Sequence, residues 1–306
     1  MTLPNFLLIG APKAGTTTIN IALNQHPEIF MCPQKECGFF WSYGDKSVIK
    51  GPGATVTKNR IIRDLYSYQK LFSGVMSEKR VGEASVRYIS HPRSPAVIHH
   101  FIPKVQLIAV LRQPVDRAYS SYLHALREGV EPCNTFIEAV THERNGKRDS
   151  WNTVRHLHPG FYYQSLSRFI EYFDKEQLHI LLFEDLKENA PNLISSIYEF
   201  LGVDTTFKAD LIHRHNASGI IRNPISRGLW AKSSHLRAIV RPYLNHNLKH
   251  SIYEWIIRDL YKPKLNLELR DELTELFRQD IEHLQDFIQR DLSHWFSSNN
   301  RYTKTI

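Results

Sequence analysis

The chain has 306 residues, 42% of them apolar and 23% charged, and its 39 Lys+Arg against 31 Asp+Glu leave a net charge of +8. This balance excludes a disordered polymer and a small stapled scaffold, because a chain of this length buries roughly three quarters of its extended surface on folding. Cys32, Cys37 and Cys133 cannot all pair and form no CxxC or Cys/His grid, which argues for a reducing compartment and against a zinc module.

The first apolar run, Phe6–Ile9, is too short for a signal sequence or a membrane span, and no basic segment precedes it, so a cytoplasmic protein is expected. Branched, apolar runs at Phe6–Ile9, Val105–Leu111 and His179–Phe183 predict strands. Between them Arg117–Leu126 and Tyr162–Phe173 read as helices, the second with Leu166, Phe169, Ile170 and Phe173 on one face. The alternation predicts an α/β fold whose central, mostly parallel sheet is flanked by helices and ends near Leu201. Gly44–Thr57 has no period and reads as a loop, and the polar, His/Arg-rich stretch Pro132–Pro159 reads as irregular. From Glu268 onward, Leu269, Leu273, Leu276, Phe277, Ile281 and Leu284 recur at helical spacing and predict a core-facing helix. It belongs to a helical C-terminal part, residues 225–306 or so, of a single domain covering 1–306. The positive surplus suits an anionic ligand, whether nucleotide, nucleic acid, sulfated or carboxylated glycan or membrane surface, and charge alone does not choose among them. Spread along the chain with no run of five basic residues, most of it reads as solvated surface, and no nucleic-acid partner is expected.

Two segments carry chemistry. Phe6–Ile9, then Gly10-Ala11-Pro12-Lys13-Ala14-Gly15-Thr16-Thr17-Thr18, then Ile19 to Leu23, is a strand, a loop of small residues and a helix start. That order aims loop amides and the unpaired amides of the first helical turn at one spot, where the helix dipole favours an oxyanion. Gly10 and Gly15 have the spacing of the NTPase loop GxxxxGK[ST], but Thr16 stands in the lysine position and the lysine has moved to Lys13, a poor match to a kinase. The second segment places Arg112 at the carboxyl end of a strand, where open α/β sheets bind ligands, with Ser120 eight residues on in the next helix. Arg117 and Arg127 read as helix-surface charges.

Together these residues resemble the sulfotransferases that use 3′-phosphoadenosine 5′-phosphosulfate (PAPS). Pro12 to Thr17 is similar to the 5′-phosphosulfate loop of that family, and Leu111-Arg112 through Arg117, Tyr119, Ser120 and Tyr122 to its 3′-phosphate motif. The resemblance extends to Gly82–Tyr88, Gly160-Phe161-Tyr162, Phe183–Leu186, Phe200–Val203 and an ending with Asp280, Asp291-Leu292 and Trp295. It is nearest to the heparan-sulfate N- and O-sulfotransferases and soluble bacterial relatives. It implies that Lys13, Ala14, Gly15, Thr16, Thr17 and Thr18 hold the 5′-phosphosulfate, that Arg112 and Ser120 hold the 3′-phosphate, and that PAP is released as product. It implies no metal, since the sulfuryl group carries less charge than a phosphoryl group. Lys35-Glu36-Cys37-Gly38-Phe39-Phe40 is similar to the Lys-Glu-x-His-Phe-Phe segment that holds the glycan enzymes' base. Glu36 is therefore the first candidate base and His124 the second, each with an alternative as an exposed polar residue. Gly38 stands where the family has His, and Ala84 where several glycan enzymes have Lys. The stretch from His215 to Pro224 resembles a loop that closes over the nucleotide, with Arg222 either on the 3′-phosphate or in solvent.

Other signals have milder readings. His156-x-His158 and His213-x-His215 lack a completing carboxylate or thiol, Asn216-Ala217-Ser218 is a glycosylation sequon without a secretion signal, and Trp230 to Arg241 reads as a surface helix. Glu184, in an acidic strand end, reads as a helix cap or a partner of nearby bases. The expected activity is sulfuryl transfer to a hydroxyl or amine of a glycan or small metabolite. The alternatives are a non-catalytic nucleotide- or glycan-binding module and a P-loop nucleotide kinase.

Overall fold

In a computed structural model of the protein, residues 2–211 except 48 and 152, residues 219–223, 226, 228 and 230, and residues 259–297 are described. β1 (Phe6–Gly10) leads into α1 (Thr16–Leu23), and β2 (Ile29–Met31) into three short helices, α2 (Phe39–Ser42), α3 (Ala54–Arg60) and α4 (Leu65–Lys70). β3 (Arg80–Ala84) precedes α5 (Ser94–Phe101), and β4 (Gln106–Leu111) precedes α6 (Pro114–Arg127), α7 (Phe136–Arg144) and α8 (Tyr162–Ile170). β5 (Leu178–Leu182) runs directly into α9 (Phe183–Glu188) and α10 (Ala190–Leu201). The strands form one five-stranded sheet in the order β2-β3-β1-β4-β5, parallel throughout.

β1 lies at the centre, and Phe6, Leu7, Leu8 and Ile9 are wholly buried, which is why this strand reads as a continuous apolar run. The chain leaves β1 toward β2 and β3 on one side, then crosses to β4 and β5 on the other. The carboxyl ends of β1 and β4 therefore flank the point where strand order reverses, the ligand crevice of open α/β sheets.

Several expectations need correction. β2 and β3 carry no periodic signal: β2 has three residues, and β3 contains Arg80, Gly82 and a buried Glu83. α6 starts at Pro114, which suits a first helical position, and Gln113 Oε1 accepts from Asp116 N at 2.7 Å. Arg117 and Arg127 are buried rather than surface charges, with Arg117 fully enclosed and donating to the His156 carbonyl. Gly44–Thr57 yields part of its length to α3, and Pro132–Pro159 contains α7, whose Phe136, Ala139 and Val140 are buried. That stretch is polar because its polar groups are used internally. Glu143 accepts the backbone N–H groups of His156, Leu157 and His158, and Glu131 accepts two bonds from Arg148, at 2.9 and 2.6 Å.

The predicted C-terminal helix spans Leu267–Ile288 and buries Leu269, Leu273, Phe277, Ile281 and Leu284, whereas Leu276 is exposed. It packs on α6 and α8. Arg270 grips Asp116 of α6 at 2.9 and 3.2 Å, and Asp280 caps α8 by accepting Tyr163 N and Gln164 N, both at 3.0 Å. Beyond Leu201 the chain adds a two-residue antiparallel pair, β6 (Ile220–Ile221) with β7 (Leu260–Tyr261), outside the main sheet. His213, His215, the sequon at 216–218, and the Trp230 to Arg241 segment apart from Trp230 lie outside the described residues. No described helix is long and apolar enough to cross a membrane.

Candidate active site

The bend after β1 places Lys13 in the left-handed conformation at φ 68°, and Gly15 follows at φ 88° as the residue before α1. At that φ a side chain is strained, and a Cβ on Gly15 would stand 2.4 Å from Leu186 Cδ2, where α9 closes against the loop, so glycine suits the position. No side chain caps α1, which leaves its first amides free for an anion. Ala14 and Thr16 are buried, while Thr17 and Thr18 are half-buried.

Arg112 comes off β4 beside this bend and donates from Nη1 to the Lys13 carbonyl at 3.0 Å. Its guanidinium lies over the Phe183 ring at 4.6 Å, and its own carbonyl accepts from Tyr162 Oη at 2.8 Å. Ser120 is fully buried in α6. Burial, then the positive fields of Arg127 and Arg112, push the Lys13 ammonium down to about 7. A second cation that sequence reasoning missed, Lys262, is pushed down to about 8 by burial and by Arg112. It follows β7 far along the chain, and Tyr119 Oη ties its segment to α6 by donating to the Pro263 carbonyl at 3.0 Å. Only the fold brings Lys262 to Arg112. Glu184 is also buried, and its field reaches Arg112, as its reading as a partner of bases anticipated.

Glu36 occupies the facing half. It too is left-handed, at φ 63°; among the described residues the non-glycine positions with positive φ are Lys13, Glu36 and Gln289. Such conformations cost of order 1 kcal/mol or more and persist where surrounding contacts fix them. Here Glu36 N donates to the Ala84 carbonyl at 2.9 Å, and Val86 N donates to Glu36 Oε2 at 3.1 Å. Burial raises the Glu36 carboxyl above the ordinary range against the opposing fields of Lys35, Arg60 and Arg87. Lys35 Nζ stands 4.0 Å from Glu36 Oε1 and donates to Thr17 Oγ1 at 2.9 Å, so it joins this segment to the anion loop. Gly38, at φ 68°, opens α2, where a Cβ would come within 2.6 Å of Trp41 Nε1; this accounts locally for glycine at that position.

His124 is half-buried on α6, with Nδ1 3.0 Å from Arg127 Nη2. The guanidinium can only donate, so Nδ1 is the unprotonated nitrogen and Nε2 carries the hydrogen. Burial, then Lys13 and Arg127, lower this imidazole to about 3, which makes it a weak base and leaves Glu36 the stronger candidate. Arg222 is exposed just beyond β6, with its backbone N–H on the Asp259 carbonyl at 2.9 Å.

Two other clusters have internal explanations. His156 Nε2 pairs with Glu131 Oε2 at 2.7 Å and Nδ1 with Ser121 Oγ at 3.1 Å, so it serves a buried network. Cys133, Glu138 and His142 bring potential metal ligands within 4.8 Å of one another. Arg148 Nη2, however, donates to the Cys133 sulfur at 3.2 Å, a charge that opposes a bound cation.

A family model described as "Sulfotransferase domain" matches residues 3–288. The chain is similar to the bifunctional heparan sulfate N-deacetylase/N-sulfotransferase 4 of Mus musculus, 28% identical over 238 residues that cover 75% of this chain and 25% of that protein. It is also similar to the corresponding enzyme 2 of Homo sapiens, 30% identical over 240 residues, or 75% and 24% of the two chains. The chain thus spans about a quarter of the length of these curated relatives. Its fold is similar to the crystal structure of a sulfotransferase from Alicyclobacillus acidocaldarius, with a TM-score of 0.75 and 29% identity over 97% of this chain and 100% of that one.

Proposed function

Because the chain belongs to the sulfotransferase domain family, we propose that it moves a sulfuryl group from PAPS to a hydroxyl or amine of a glycan or small metabolite by in-line displacement, residues 1–306 acting as one domain. The observation that carries this reading is a pair of cationic centres on one crevice, Lys13 at an uncapped helix start and Arg112 with Lys262 beside it. That pair fits a nucleotide with phosphate groups at two positions. When bound, PAPS supplies the sulfuryl group and a phosphate leaving group.

In this reading Lys13 and the α1 amides stabilise the charge that develops on the leaving oxygen. Arg112, Ser120 and Lys262 hold the 3′-phosphate, and Thr16, Thr17 and Thr18 donate around the 5′ end. Glu36 takes the acceptor proton, its raised basicity suiting that task. His124 orients the acceptor or the transferring group through Nε2–H. No divalent cation has a role, since side chains supply the positive charge. A cytoplasmic location belongs to the same reading, with three free, buried cysteines in support.

The test is transfer from 35S-labelled PAPS to a panel of acceptors that includes de-N-sulfated heparan sulfate, phenols and sugar alcohols, followed by mass spectrometry for the added sulfate. Metal-free transfer is the expected result. PAP binding without turnover on any acceptor would instead indicate a binding module, and magnesium-dependent phosphoryl transfer from ATP a kinase.

A further inference from the structure

Beneath Glu36 lies a second carboxyl, Glu83, near the end of β3, which the catalytic reading does not use. It is wholly buried, an arrangement that is costly unless its oxygens are satisfied. Three hydroxyls donate to it. Ser85 Oγ reaches Oε1 at 2.5 Å, and Tyr88 and Tyr68 Oη reach Oε2 at 2.7 and 3.3 Å.

Two of those hydroxyls also accept from the backbone that follows Glu36. Gly38 N donates to Ser85 Oγ at 3.2 Å, and Phe40 N to Tyr88 Oη at 3.4 Å. A hydroxyl that accepts from an amide keeps its own proton for another acceptor, so both chains run one way, from amide through hydroxyl to the Glu83 carboxyl. The left-handed turn at Glu36 is pinned upstream by its own N–H on Ala84, and these relays pin it downstream.

We propose that Glu83 is a positioning residue for the candidate base: through Ser85 and Tyr88 it fixes the amides of Gly38 and Phe40, and thereby the turn that aims the Glu36 carboxyl. This rests on the reading of Glu36 as base. Glutamine at position 83 keeps the volume but turns one acceptor into a donor. The amide nitrogen then faces Ser85 alone on the Oε1 side, or Tyr88 and Tyr68 on the Oε2 side, and the relay through Ser85 or the one through Tyr88 fails accordingly.

The test uses the full chain with Ser85→Ala and Glu83→Gln, alone and in a Glu36→Gln background. Hydrogen exchange across residues 36–40, PAP affinity, and 35S transfer to de-N-sulfated heparan sulfate are the readouts. Ser85→Ala is expected to speed exchange at the Gly38 amide about tenfold, Glu83→Gln to do so at the Gly38 or the Phe40 amide, and each to lower kcat about tenfold, with PAP affinity within about twofold. In the Glu36→Gln background the same changes should cost less than about twofold in kcat, because the residue they act through is gone. Unchanged exchange at Gly38 in Ser85→Ala, unchanged exchange at both Gly38 and Phe40 in Glu83→Gln, or an equal kcat loss in both backgrounds, overturns the proposal. A fully active Glu36→Gln whose Gly38 exchange still responds to Ser85→Ala removes the base assignment, and with it the positioning role, while leaving the relay intact.

Discussion

The two halves of the proposed site, one around Lys13 and Arg112 and one around Glu36, are built on opposite electrostatic plans. Around Lys13 and Arg112 cations gather, and desolvation, then the fields of neighbouring cations, drives the Lys13 and Lys262 ammonium groups down to about 7 and 8. In the other half carboxyls prevail: the half-buried Glu36 is raised, and the wholly buried Glu83 is raised to about 7, both chiefly by desolvation. The first arrangement is relieved by an arriving anion. The second keeps a carboxyl more basic than it is in water, ready to receive a proton. The halves also differ in construction. Lys13 and Arg112 follow strands β1 and β4 within a few residues, whereas the Glu36 turn is held by Ala84 and Val86, far along the chain.

Perturbing each half in turn breaks or sharpens this contrast. Lys13→Ala should give the largest effect, a loss of about 10³ in turnover with only about tenfold weaker PAP binding, because the charge it meets grows in the transition state. Single-turnover 35S transfer alongside calorimetry checks it, and near-wild-type turnover would contradict the leaving-group role. Glu36→Gln should cost about 10² in kcat with PAP affinity unchanged, as removal of a general base does. If PAP affinity falls instead, Glu36 belongs to the donor half.

Arg112→Ala should weaken PAP about 10- to 100-fold, the value of a buried charged hydrogen bond, while kcat at saturating donor changes little. The pH dependence follows from the depressed Lys13. Pairing with phosphate requires the protonated amines, so affinity is greatest below about pH 7 and should fall by up to about tenfold per pH unit as Lys13 deprotonates, and more steeply above about pH 8, where Lys262 deprotonates too. A flat titration across that window in the wild type, measured by calorimetry, would refute the shifted ammonium. The smallest change, about two- to threefold in kcat, is expected for Thr17→Val, which cuts the Lys35 bond between the halves.

Legibility in the sequence tracks the same division. β1, β4 and β5, α6, α8 and the long C-terminal helix announce themselves through apolar runs or spacing, and Lys13, Gly15 and Arg112 through their place at strand ends. β2 and β3 do not, since one is too short and the other carries a glutamate whose burial depends on hydroxyls from Tyr68 and Tyr88. The buried state of Arg117, Glu143 and Arg148 is hidden for the same reason: composition cannot distinguish a solvated charge from one whose partner lies elsewhere in the chain. Lys262 reaches Arg112 only after the terminal segment returns to α6. His124 is visible as a residue type, but its low basicity arises first from burial and then from Lys13 and Arg127, of which the fold supplies the burial and Lys13, while Arg127 is a neighbour on the same helix.

The left-handed bend at Lys13 lends itself to chemical complementation. Glycine adopts that backbone shape without penalty, so Lys13→Gly should delete the amine while preserving the curve of the loop. A small alkylammonium ion supplied from solution can then stand in for the missing side chain, separating what the charge contributes from what the bend contributes.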